Sequence, residues 1–412
     1  MMNRREFFGK TAGALAAVSV LSSAKNTFPV PPSDQINLGI IGPGSRGQSL
    51  MRAFLRVPGV RFAALCDVYE PRFAQARKIT GEETPIYKDY RLLLDAKNLD
   101  AIVVSTPLSF HEEHVTASLE SGRHVYGEKD MAKTVASCDH VYQAVKRNGK
   151  HYQLGTQYHY APWFVEALQR IRAGKLGEIT QIYAYWHRNN NWRRPVPDPK
   201  DKALERLINW RLYREFSGGL LAELGTHQIL FALEVLGTLP ESVIGTGGID
   251  YWKDGREVPD NVQVVYRFPG GKILFFSSIT TNRFEGMKIC VYGTGGTIVL
   301  TEARGTAYYE PATKNSSVPE KLIVEHGIVT TASFRAEVPY TGPGETIRVP
   351  EDKNGSPDFL ACQSFIDCVR NNRHPGADEL SGWKSGVSVA LGNQAIDSGE
   401  KVVFAEHAKL PG

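Results

Sequence analysis

The sequence predicts an α/β protein in which a parallel, doubly wound sheet is followed by a second domain rich in antiparallel strands. Three observations predict it. A glycine-rich turn lies between a continuous apolar run, INLGIIG (36–42), and a stretch of helical character. Apolar runs and helical stretches then alternate up to about residue 157, the pattern of repeated βαβ units. Beyond residue 260, VQVVYRFPGGKILFFSSITT and KICVYGTGGTIVLTE set strand-like runs around short glycine turns, as antiparallel hairpins do.

The length of 412 residues favours two domains. Hydrophobic residues make up 42% and charged residues 22%, ordinary for a globular protein. The formal charge is +4, and Arg4, Arg5, Lys10 and Glu6 fall in the first 24 residues, so the remainder is close to neutral. That balance makes no case for a nucleic-acid partner or an acidic membrane surface. The five cysteines, Cys66, Cys138, Cys290, Cys362 and Cys368, form no tight pairs, which argues against a disulfide scaffold or a zinc site.

The chain opens MMNRREFFGKTAGALAAVSVLSSA: paired arginines, an apolar run, then small residues. This is the layout of a twin-arginine export signal. The expectation is a signal over 1–24, a linker over 25–35, passage through the twin-arginine machinery and a periplasmic destination. Ala12–Leu21 is too short to span a bilayer, which takes about 20 residues.

The first domain is expected over 36–157. In GPGSRG the glycines Gly42, Gly44 and Gly47 follow a strand and open a helix, and Asp67 closes the next strand, VRFAALCD. This is the full context of a dinucleotide-binding fingerprint, a Rossmann domain. Gly42 allows the tight turn, Gly44 the approach of a pyrophosphate and Gly47 close helix–strand packing. Ser45 and Arg46 start the helix, whose free N–H groups suit phosphate. A carboxylate at Asp67 favours NAD over NADP, while Arg46 and Arg72 leave NADP open. Later strands end at Ser105-Thr106-Pro107, Glu128-Lys129 and Gly155-Thr156-Gln157, which a doubly wound sheet gathers around one crevice. The HEEH run (111–114) lacks the i, i+4 histidine pair of zinc proteases, and no metal site is predicted.

GIIGPGSRG, STPLSFHEEH, YGEKDMAKT, LLAELGTHQ and the late FIDCVRNNRHPGADELSGWKSGVSVALGNQAIDSGEKVVF together resemble the glucose–fructose oxidoreductase / inositol dehydrogenase / MocA family, from about Leu38 to Phe404. The resemblance implies a second domain over 158–412 built on a large, mostly antiparallel sheet, and a nicotinamide cofactor acting on a sugar or cyclitol hydroxyl. It also implies a homodimer or homotetramer formed through the exposed sheet face. Glu128-Lys129 matches the family's Glu-Lys-Pro signature with Asp130 in place of proline. His111 is placed near the cofactor, and His227 is the general base, with Glu223 where the family has aspartate.

The residues support parts of this independently. A cation at Lys129 stabilises an alkoxide forming beside it. Glu223 and His227 are i, i+4, so on a regular helix they share a face and the carboxylate orients the imidazole. Tyr158, with Gln157 and His159, follows the last strand of the first domain and is expected at the pocket. Trp186 and Trp192 are expected to stack on sugar rings, with Arg188 and Asn189 holding hydroxyls. Trp210, Arg211 and Tyr213 precede the His227 helix and join the expected substrate set. The leading expectation is an exported oxidoreductase of a sugar or sugar-like polyol that keeps its NAD(P). The alternative is an NAD-dependent glycoside hydrolase working by transient oxidation, elimination, hydration and re-reduction, with Tyr213 or His159 as an extra base. A non-catalytic sugar-binding protein is a third.

Overall fold

The structure is a computed structural model that describes residues 35–310, 322–325, 328–331, 343–347 and 355–411. The predicted export signal lies outside them. The first domain is a six-stranded sheet in the order β3-β2-β1-β4-β5-β6. Its strands are β1 Ile36–Ile41, β2 Val60–Cys66, β3 Ile86–Tyr87, β4 Ala101–Val104, β5 His124–Glu128 and β6 Tyr152–Gly155. All neighbours pair in parallel. Central strands such as β4, AIVV, are buried throughout, because crossover helices cover both faces of such a sheet. Those helices are α1 Ser45–Phe54, α2 Pro71–Thr80, α3 Tyr90–Leu94, α4 His111–Glu120 and α5 Val135–Asn148. The reversal of strand order between β1 and β4 opens the crevice at the carboxyl ends of the strands, where ligands bind in this architecture.

The second domain is a nine-stranded sheet. It contains β7 Ile179–Trp186, β8 Ser242–Gly248, β9 Asn261–Arg267, β10 Ile273–Ile279, β11 Met287–Gly293, β12 Gly296–Thr301 and β13 Gly305–Tyr309. A separate hairpin joins β14 Leu322–Glu325 and β15 Ile328–Thr331, and the short β16 Glu345–Thr346 and β17 Val402–Val403 close the two edges of the large sheet. Pairing is antiparallel except between β7 and β10. Gly293 pairs with Gly296 across a two-residue turn, so this glycine cluster is a hairpin, as its lack of a following helix predicts. The helices of this domain are α6 Pro162–Arg172, α7 Lys202–Ile208, α8 Thr226–Leu236, α9 Pro357–Asn371, α10 Glu379–Ser398 and the short α11 Phe404–His407. Helix α10 lies on the sheet: Tyr266 of β9 donates to the Ser388 carbonyl at 2.9 Å, and Ile396 packs against Gly245 of β8.

A division at residue 157 does not hold for the tail. Helix α9 returns to the first domain and completes its core. Cys362, Phe365 and Ile366 are buried with Leu38, Phe54 and Tyr126. The Phe365 ring meets Phe54 and Tyr126 edge-on at 6.1 and 5.7 Å, and Gln153 of β6 donates to the Ala361 carbonyl at 2.8 Å. The resemblance assigned this helix to the second domain, but apolar burial decides where it packs. All five cysteines are buried and free, and among the described residues no helix is long and apolar enough to cross a membrane.

Truncating Phe365 removes an aromatic side chain that α9 contributes to the core of the first domain. Phe365→Ala is expected to cost about 3–5 kcal/mol, read as a lower urea midpoint for loss of first-domain structure. A change under about 1 kcal/mol would mean that α9 does not complete this core.

Candidate active site

The carboxyl ends of β1, β2 and β4 line a cleft of about 630 Å³. Gly42 takes φ +91°, and a Cβ there would sit 2.8 Å from the Ser105 carbonyl oxygen. The Ser105 hydroxyl donates to the Gly42 carbonyl at 2.7 Å, tying the two loops together. A Cβ on Gly47 would lie 2.4 Å from the Gly42 oxygen, so only glycine lets α1 start this close to the strand. No side chain caps α1 and no acid occupies its first turn, which leaves its N–H groups directed at the cleft. Together these features fit a dinucleotide, with the pyrophosphate at the helix N-terminus. Ser45, Thr106 and Pro107 also line the cleft. Asp67 is buried, accepts from the Tyr69 N–H at 2.9 Å and pairs with Arg72 at 3.1 Å. Arg46, left open as a partner for a ribose phosphate, lines the cleft but is engaged by carboxylates. It turns inward, donating to Glu128 at 2.7 Å and to Asp358 of α9 at 2.8 Å. Burial alone would lower its pKa; the two carboxylates more than reverse that and raise it.

Beside the cleft is a smaller chamber of about 60 Å³, lined by Glu128, Lys129, Asp130, His111 and Glu223. Its wall shares Arg46, Ser105, Thr106, Trp210 and Arg211 with the large cleft. Lys129 Nζ donates to the carbonyls of Ala222 and Glu223 at 2.7 and 2.8 Å. Both belong to a π-helical turn, Leu221–Gly225, that leads into α8. An ammonium has three hydrogens, so one remains for an oxygen in the chamber. His111 is expected at the cofactor; instead it is buried, with Nδ1 2.6 Å from the Asp130 carbonyl and Nε2 2.9 Å from that of Thr106. It braces two loops, and burial lowers its pKa. Glu128 serves Arg46 rather than lying open to the cofactor.

The expected Glu223–His227 pair does not form. A π turn holds more residues than an α turn, so positions four apart no longer share a face. The Glu223 carboxylate takes Arg211 Nε at 2.8 Å. His227 Nδ1 instead lies 3.1 Å from the Thr156 hydroxyl, and no hydrogen bond among the described residues engages Nε2. His227 is 5% exposed and, like Tyr158, which is expected at the pocket, lines neither the cleft nor the chamber; the rings of Tyr158 and Trp186 are centred 5.0 and 5.6 Å from its own. Burial, then the charges of Lys129 and Arg46, hold its pKa well below the ordinary imidazole value, so it is neutral at pH 7. Trp186 is itself buried and offers no free face to a sugar ring, since it packs on His227 with the Arg188 guanidinium over it at 5.2 Å. Arg188 Nε is buried without a partner.

Trp210 and Arg211 line the cofactor cleft as well as the chamber. Tyr213 does not reach the site: its hydroxyl donates to Glu205, and it lines a separate groove with Arg193 and Asp254. His159 pairs with Glu234, so neither extra base expected for a hydrolase stands at the chamber. Gln157 starts a short 3-10 turn, Gln157–Tyr160, and lines neither the cleft nor the chamber. Reading by motif missed Thr156 as the partner of His227, Asp358 as the partner of Arg46, and Arg194 on the cleft wall. The last two come from segments far along the chain, and spacing carries no signal for them.

Residues 36–156 match the GFO/IDH/MocA family model described as oxidoreductase family, NAD-binding Rossmann fold. Residues 164–299 match that of the GFO/IDH/MocA C-terminal domain. A relative from Shewanella sp. (strain ANA-3) named glycosyl hydrolase family 109 protein 2 is 24% identical over 415 residues, covering 90% of this chain and 87% of that protein. Among solved structures, the aldose-aldose oxidoreductase from Caulobacter crescentus superposes with TM-score 0.69 at 22% identity, over 90% of this chain and 99% of that one. A levoglucosan dehydrogenase complexed with NADH and levoglucosan gives TM-score 0.69 at 18% identity, again over 90% and 99%. At these identities the structural likeness is one of fold.

Asp130 stands out electrostatically. It is 1% exposed, and neither carboxylate oxygen has a hydrogen-bond partner. The neighbouring Thr226 hydroxyl gives its proton to the Ala222 carbonyl at 2.8 Å. Burial pushes the Asp130 carboxyl from 3.8 up to about 7, against the pull of Lys129. A carboxyl with a raised folded pKa ionises first in the unfolded chain, so its contribution to stability is full below about pH 4 and is lost as pH rises through 7. Asp130→Asn has no such proton to lose. Relative to wild type it is expected to gain up to about 4 kcal/mol at pH 8 and nothing at pH 4, measured by urea unfolding at both. A gap that does not widen with pH would show that the carboxyl is not held protonated.

Proposed function

The chain belongs to the GFO/IDH/MocA oxidoreductase family, and from that premise we propose that it is an exported NAD(P)-dependent oxidoreductase acting on a hydroxyl of a sugar or sugar-like polyol, with its cofactor retained. One observation carries the reading: Lys129, anchored by two carbonyls, has one hydrogen left for a chamber that shares its wall with the dinucleotide cleft. Bound NAD(P) supplies a hydride acceptor and donor. The protein's part is to hold the substrate oxygen and move its proton. Lys129 stabilises negative charge growing on that oxygen. His227 takes the hydroxyl proton at Nε2, fixed by Thr156 at its other nitrogen. Its depressed pKa keeps the ring neutral, the form that can accept a proton. Arg211, aligned by Glu223, and Trp210 border the same space.

Export through the twin-arginine route would favour a cofactor loaded before translocation. The periplasm offers no pool of free NAD(H), so a retained cofactor calls for a closed cycle in which one sugar re-oxidises what another reduces. The exposed face of the second sheet is the surface through which a homodimer or homotetramer would form. A second reading, redox-neutral glycoside hydrolysis, is favoured by relatives named glycosyl hydrolase family 109. It needs the same Lys129 and His227 and a further base for the proton beside the transient ketone.

Denaturing the purified full-length protein is expected to release about one NAD(P)(H) per chain. A preparation without cofactor that turns over only with millimolar added NAD would contradict retention. Lys129→Ala is expected to lower the rate of cofactor reduction by sugars about 10²–10³-fold with cofactor content unchanged; wild-type turnover in that variant would rule out both catalytic readings. Incubation with aryl glycosides and no acceptor separates the two. Phenol release without net change in cofactor absorbance supports hydrolysis, and its absence supports oxidoreduction.

A further inference from the structure

The cleft has a wall from each domain. On one side are Gly42, Gly44 and the uncapped start of α1; on the other are Arg194, Trp210 and Arg211. Five arginines line this space, and four have carboxylates: Arg46 with Glu128 and Asp358, Arg72 with Asp67, Arg91 with Asp89 and Glu113, and Arg211 with Glu223. Arg194 has no acidic partner among the described residues. It is exposed at the rim, yet its backbone is fixed. Asn209, itself buried, accepts from the Arg194 N–H at 2.7 Å and donates to the Arg194 carbonyl at 3.2 Å. Partial burial, then repulsion from Arg211 and Arg72, lowers its pKa. The loop therefore holds an uncompensated cation against two others, and an anion in the cleft would relieve that repulsion.

The rest of the cleft lining bears on which anion it takes. Arg72 marks the Asp67 end, where a ribose of the adenosine half binds in this fold, and Arg211 marks the Glu223 and Lys129 end, where chemistry occurs. Arg194 lines the same cleft as both, together with Gly44 and Ser45 at the start of α1.

We propose that Arg194 is a latch on the cofactor, its guanidinium binding the dinucleotide pyrophosphate from the second domain and slowing cofactor release. The latch rests on the NAD(P) reading and gives cofactor retention a physical cause. A guanidinium suits this task because its planar donors meet two phosphate oxygens at once.

The test is stopped-flow release of NADH from the folded protein, chased with excess NAD and followed by nicotinamide fluorescence. Arg194→Ala is expected to speed release about 10-fold or more at 50 mM NaCl, with the gap closing toward 1 M NaCl as the phosphate contact is screened. Arg194→Lys should fall between, having the charge but not the fork. The same series with NADPH separates the two phosphate sources. A similar gain in release for both cofactors supports the pyrophosphate, and an effect confined to NADPH would overturn it in favour of the ribose 2′-phosphate. Wild-type release of NADH from Arg194→Ala would overturn the latch while the cofactor reading stands. If wild type binds neither NADH nor NADPH, the cofactor reading itself falls, and the latch with it.

Discussion

The bond from Lys129 Nζ to the Ala222 and Glu223 carbonyls is the contact on which the rest of the site depends. It joins the end of β5 to a π turn of the second domain, so one side chain spans the two sheets. The carbonyls offer partial negative charge without neutralising the ammonium, which a carboxylate would do. A lysine held in this way keeps a full charge and one unspent hydrogen, the two properties that stabilisation of an alkoxide requires. The π turn makes this possible. Its carbonyls face Lys129, and its wider turn sends Glu223 to Arg211 instead of to His227.

Charge around the chamber is arranged by burial as much as by pairing. His227, enclosed by Tyr158 and Trp186 and facing the charges of Lys129 and Arg46, is kept neutral. Asp130, enclosed without a donor, is pushed toward its acid form. Arg46 spans Glu128 and Asp358 and ties α1, β5 and α9 together beneath the cleft. The cost of burying these groups is borne by a fold whose tail helix packs back into the first domain. Loss of that packing would disturb the site from a distance.

Much of the first domain was legible from local pattern. Continuous apolar runs, the spacing of Gly42, Gly44 and Gly47, and Asp67 at a strand end are all near-neighbour information, and each element stands where that pattern put it. The turn between β11 and β12 and the antiparallel strands around it were equally plain. The misreadings have physical causes. The i, i+4 rule for Glu223 and His227 assumes an α-helix and fails at a π turn. Trp186 and Tyr213 are aromatic and polar enough to suit a sugar pocket, but burial and Glu205 respectively take them elsewhere.

By itself the sequence determined the order of elements, the phosphate-binding turn and the position of Lys129 after the end of β5, because these follow from backbone periodicity and from glycine's freedom at a tight turn. Only the tertiary structure decided which charge meets which. Thr156 with His227 and Asp358 with Arg46 are contacts between segments distant in sequence, and Arg211 meets Glu223 only because of the π turn. Electrostatic energy depends on separation in space and on local burial, and neither is written in residue spacing.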